Sequence, residues 1–122
     1  MADITVFNRF QQACRAYEQA IALTREQLST EELAKRLCET ADFLLKNNAF
    51  NVAEDYYAEC LGIRRRLAEN NPEVYEPDLA MTLNNLGLLY YSVHRFSDSE
   101  LIYKEALDIY RRLVENNPED YE

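Results

Sequence analysis

The chain has 122 residues, enough for one domain with its own core, and 48% of them are apolar against 29% charged, the balance of an ordinary globular protein. Two glycines and three prolines are too few for the frequent turns of an all-β fold, while the many Leu, Ala, Glu and Arg residues favour helix. A net charge of −9 offers neither nucleic acid nor an anionic membrane the basic face that it needs, so neither partner is expected, and a basic or apolar peptide is the easier ligand.

Taken in order, the opening residues MADITVFNRFQQ lack the apolar segment of a signal peptide. No run of about 18 apolar residues follows, so the expected setting is cytoplasmic. Residues 7–28 read as a leading helix. Ser29-x-x-Glu32 has the form of a capping box opening a helix that runs to about Lys46, and Asn51-x-x-Glu54 opens another to about Glu69. Pro77 suits a first helical turn and Asp78 its positive end, and Leu79, Leu83, Leu86, Tyr90 and Val93 then form one apolar stripe. After the turn His94-Arg95-Phe96, Ser97-x-x-Glu100 caps a last helix. Its stripe is Leu101 or Ile102, then Ala106, Ile109 and Leu113, and Pro118 closes it. Five helices are expected.

The last four helices are two copies of one unit. Residues 31–76 laid over 77–122 agree at 19 of 46 positions without a gap, and a period of this size marks a helical solenoid. Shared residues include Leu37 and Leu83, Phe50 and Phe96, Tyr57 and Tyr103, Leu61 and Leu107, and Asn-Asn-Pro-Glu at both ends. In the leading helix, Tyr17, Ala20, Ile21 and Leu23 match Tyr57, Cys60, Leu61 and Ile63. The single domain 1–122 therefore divides into an unpaired second-type helix (7–28) and two units, 29–76 and 77–122. Gly87 and Ala41 are small where the helices of a pair cross, and Ala53, Ser99, Cys60 and Ala106 are small where second helices meet neighbours. One pair cannot bury both of its faces, so the units must stack.

The residues Leu83, Leu86-Gly87, Tyr90, Ser99, Tyr103 and Ala106, repeated less faithfully as Leu37, Thr40-Ala41, Leu44, Ala53, Tyr57 and Cys60, resemble the tetratricopeptide repeat. The run TLNNLGLLY (82–90) is similar to the long-repeat form of kinesin light chains and bacterial signalling proteins. The resemblance covers about residues 17–122. It implies an all-α solenoid of antiparallel helix pairs in a right-handed superhelix, acting as a protein-binding scaffold whose first helices line a concave groove. Carried onto this chain, the groove positions are Lys35, Cys38, Asp42, Leu45 and Lys46, then Met81, Asn84, Asn85, Leu88, Tyr91 and Ser92. Asn84 and Asn85 stand out, since an amide offers a donor and an acceptor to an extended backbone. The same amides also suit bonds to neighbouring helices or water, and Leu45, Leu88 and Met81 also suit a core. The family's two-carboxylate clamp for chaperone C-termini draws Lys, Asn and Arg from three successive repeats, a set not assembled here.

Arg64-Arg65-Arg66 and Arg111-Arg112 lie on second helices. Arg65 with Glu69, Asp108 with Arg112, and Arg111 with Glu115 are candidate i,i+4 ion pairs on a solvated face. Cys14, Cys38 and Cys60 contain no C-x-x-C pair and no adjoining histidine, which points to reduced thiols and to no metal. His94, the lone histidine, sits in a turn without a nucleophile beside it, and no Gly-rich phosphate loop, G-x-S-x-G or H-E-x-x-H occurs. Neither catalysis nor a cofactor is expected. The competing expectation is a structural or self-associating segment of a larger signalling protein. It rests on the sequence stopping where a further repeat would begin and on apolar Leu101, Ile102, Ile109 and Tyr110 in the last helix.

Overall fold

The computed structural model describes residues 4–27 and 30–121. Five long helices, α1 (Ile4–Gln27), α2 (Thr30–Lys46), α3 (Phe50–Asn70), α4 (Pro72–Ser92) and α5 (Phe96–Asn116), precede a single turn, α6 (Pro118–Tyr121). Among the described residues there is no strand, and no helix is long and apolar enough to cross a membrane. The strongest packing is within the pairs α2–α3 and α4–α5, followed by α3 on α4, with α1 laid against α2. This is the stacked-pair array that the 46-residue repeat requires.

The apolar stripes become the core. Leu37 and Leu83, equivalent by the repeat, are both fully buried, as are Ala41, Ala53, Tyr57 and Cys60. In α5 the stripe runs through Ile102, Ala106, Ile109 and Leu113, while Leu101 faces outward at 67% exposure. Gly87 is buried against the Tyr103 ring, and a Cβ there would lie 2.8 Å from two ring carbons. Gly87→Ala therefore sets a helix gain of up to about 1 kcal/mol against an overpacking cost of about 1–3 kcal/mol. We expect a net loss of about 1 kcal/mol in urea titrations, reversed to a gain when Tyr103 is also alanine.

The helix boundaries depart from the sequence reading in an instructive way. Asn48 and His94 occupy equivalent places and both take positive φ, 62° and 64°. Around each, two backbone bonds close the preceding helix: Asn48 N–H to Leu45 O and Ala49 N–H to Leu44 O, then His94 N–H to Tyr91 O and Arg95 N–H to Tyr90 O. This is the Schellman closure, with a left-handed residue satisfying the last carbonyls. It turns the chain so tightly that α3 and α5 begin at Phe50 and Phe96, with Ala49 and Arg95 in the N-cap places and no side-chain cap bond at either. The expected caps at Asn51 and Ser97 are thus inside the helices, while Ser29 lies outside the described residues.

The other turn is set by Asn-Pro. Asn71 and Asn117 are extended (φ −148° and −140°), as a following proline prefers, and Pro72 starts α4. The helix therefore opens ahead of Pro77, where the sequence reading began it, and Pro77 lies inside α4. The carbonyl that Pro77 cannot serve belongs to Glu73, which is exposed to water.

Candidate functional site

The first-type helices α2 and α4 lie side by side, and toward their C-terminal ends they leave a groove of about 400 Å³. It is lined by Asp42, Leu45 and Lys46 from α2, Asn85, Leu88 and Ser92 from α4, and Asn48 and Phe50 from the intervening turn and the start of α3. At its floor three helices meet on one oxygen. Tyr57 of α3 donates its hydroxyl to Asp42 Oδ1 at 2.6 Å, and Asn85 Nδ2 donates to the same atom at 3.1 Å. Burial, then the bond to Asp42, raises the Tyr57 pKa above the ordinary phenol value, so this hydroxyl stays a donor. Leu88 is 46% exposed beside this polar cluster, which gives the groove an apolar wall.

Six of the groove positions read from the sequence thus meet here: Asp42, Leu45, Lys46, Asn85, Leu88 and Ser92. The others do not. Lys35 lines a second cleft near the N-terminal ends of α2 and α4, with Glu31, Arg64, Tyr75 and Asp78. Met81 and Asn84 are exposed on α4 but are not part of the groove lining. Tyr91 belongs to a cleft on α5, with Phe96, Tyr103 and Leu107.

Cys38 is a correction. It is buried at 8%, its Sγ 3.9 Å from Thr82 Oγ1, so it packs under α4 and does not line a groove. Its repeat equivalent is Asn84, which lies on a side of α4 that no described helix covers. One position is therefore buried in one unit and open in the next. Nearby, Cys60 donates its S–H to the Ala34 carbonyl at 3.2 Å, and the neighbouring Cys38 sulfur, then burial, raises its pKa and keeps it a thiol. All three cysteines are free, and among the described residues no cluster of three His, Cys, Asp or Glu could hold a metal.

The arginines also pair differently from the sequence expectation. Arg65 bonds Glu105 at 2.8 Å, repeating the Arg25–Glu59 pair one layer earlier, and Arg112 pairs with Glu76. These bridges cross between helices because the stacked neighbour places a carboxylate within reach of the side chain. Arg64 points inward and donates to the fully buried Thr82 Oγ1 at 2.6 Å. Arg95, in the turn before α5, grips Glu54 of α3 with one nitrogen at 2.9 and 3.0 Å and lies over the Tyr90 ring at 4.3 Å. Asn48, Phe50 and Arg95 carried no functional reading in the sequence. Their role comes from the tight turns, and the available signal was the equivalence of Asn48 with His94.

The helix pairs, their close crossing at Gly87 and the groove on the first helices define a class, the tetratricopeptide-type all-α repeat array. Residues 79–120 match the family model described as Tetratricopeptide repeat, and repeats of this family generally mediate protein–protein interactions. The match is to the repeat itself and does not single out kinesin light chains. No curated protein and no solved structure matches the chain.

Proposed function

We propose that this chain is a non-catalytic interaction module that holds an extended peptide or a partner's helix in the groove between α2 and α4. The observation that carries the reading is the preassembled Asp42–Tyr57–Asn85 cluster, fixed from three helices, beside exposed apolar surface on Leu88. A groove of this kind takes an apolar side chain against Leu45, Leu88 and Phe50 while a ligand donor reaches the Asp42 carboxylate. The protein's net charge of −9 attracts a basic ligand. The ammonium of Lys46, at the rim, is available to a backbone carbonyl. The division into a leading helix and two units, 29–76 and 77–122, goes with this proposal, since the groove is formed where the two units adjoin.

Selection of a displayed peptide library on the intact chain tests it. Enriched peptides should carry an apolar residue next to a basic one. Binding should fall by at least about 10-fold on Leu88→Arg, the loss of one well-packed apolar anchor. Leu88 is half-exposed, so this variant should keep the native melting temperature. Selected peptides that bind Leu88→Arg as well as the native chain would overturn the groove assignment.

A further inference from the structure

Beneath the groove floor the same three helices carry a second polar layer, built around sulfur. Cys38 stands one helical turn before Asp42 on α2, Cys60 one turn beyond Tyr57 on α3, and Thr82 one turn before Asn85 on α4. The Cys60 S–H is turned to the Ala34 carbonyl, on the face of α2 that also carries Cys38, and the two sulfurs are neighbours. Cys38 Sγ lies 3.9 Å from Thr82 Oγ1, to which Arg64 donates at 2.6 Å. Arg64 is turned inward, yet it pairs with no carboxylate among the described residues. The repeat itself does not require this set. The place of Cys60 is held by Ala20 in α1 and Ala106 in α5, and that of Arg64 by Thr24 and Tyr110. Alanine therefore suffices for the helix crossing at Cys60.

We propose that Cys38 and Cys60 form a peroxide-responsive thiol pair, with Cys38 the attacking sulfur and Cys60 the resolving one. The Cys38 thiolate attacks one oxygen of hydrogen peroxide, becomes a sulfenic acid and releases hydroxide. The Cys60 sulfur then attacks the Cys38 sulfur, and its proton leaves with the sulfenic hydroxyl as water. One peroxide is thereby reduced while two thiols are oxidised to a disulfide joining α2 to α3. The geometry assigns the two roles. Cys60 is fully enclosed and holds its proton toward Ala34, whereas Cys38 keeps 8% exposure and lies beside the Thr82 hydroxyl that Arg64 grips. The Cys60 sulfur lowers the Cys38 pKa most, with Arg64 and Thr82 assisting, against burial and the Asp42 charge. Oxidation of Cys38 removes the thiolate that holds the Cys60 proton, which frees the second thiol to react. None of this depends on what the groove holds.

Peptide mapping of the intact chain after hydrogen peroxide at pH 7 should show an intramolecular Cys38–Cys60 disulfide, with Cys14 still a thiol. Cys60→Ala should stop at a Cys38 sulfenic acid, captured by a cyclic 1,3-diketone. Arg64→Met should slow Cys38 oxidation about 10-fold at pH 7, the effect of roughly one pKa unit of lost thiolate. That deficit should shrink at pH 9, and Arg64→Lys should restore most of the rate. A deficit equal at both pH values would overturn the proposal, since a merely structural arginine acts alike at each. So would oxidation of Cys14 ahead of Cys38, or a rate that rises in urea in step with global unfolding.

Discussion

Tyr57→Ala is expected to cost about 3–5 kcal/mol of folding stability, the usual consequence of emptying a fully enclosed aromatic site. A domain of this kind has only about 5–15 kcal/mol in total, so the variant should be partly unfolded in mild denaturant. Tyr57→Phe separates packing from polarity. It keeps the ring but leaves Asp42 Oδ1 with Asn85 alone, at a cost of about 1.5–3 kcal/mol for a bond to a carboxylate. The pair also differ with pH. Burial and Asp42 hold the folded Tyr57 proton above the ordinary phenol value of 10.0, whereas the unfolded chain loses it there. Above that pH the folded state binds more protons than the unfolded one, so the contribution present at lower pH declines as pH rises. Denaturation midpoints measured at pH 9 and 11 should therefore fall less steeply for Tyr57→Phe than for the native chain. The slope should not vanish, because burial also raises Tyr90 and Tyr103. An identical slope in the two proteins would show that the buried hydroxyl is not the titrating group.

Leu83→Ala is the second large expected effect, about 2–5 kcal/mol, because Leu83 has no exposed surface and sits in a helix held on both sides by α3 and α5. By the repeat, Leu37→Ala should fall in the same range. Leu101→Ala, on the outward side of α5, should change stability by less than about 0.5 kcal/mol. Urea titrations of the three variants check the stripe assignment directly. A cost at Leu101 comparable to that at Leu83 would mean that the outer side of α5 is covered in solution.

Much of the candidate site was within reach of the sequence, and the remainder shows where periodicity stops informing. The 46-residue repeat and the apolar spacing determined the helix pairs, the core positions Leu37, Leu83, Ala106 and Ile109, and the need for small residues at Ala41 and Gly87. These follow from the geometry of single helices and from the clearance at a crossing, which a sequence specifies locally. The start of α4 at Pro72 and the absence of side-chain caps before α3 and α5 were decided by the turns, where backbone bonds from Ala49 and Arg95 close the preceding helix so tightly that the next one begins ahead of Asn51 and Ser97. Only the tertiary structure decided that Cys38 is buried while Asn84 is open, that Arg65 reaches Glu105 instead of Glu69, and that Asp42 gathers Tyr57 and Asn85. Repeat periodicity places a residue on a face of its helix, but burial and partner depend on which element stands against that face, and equivalent positions in successive units have different neighbours.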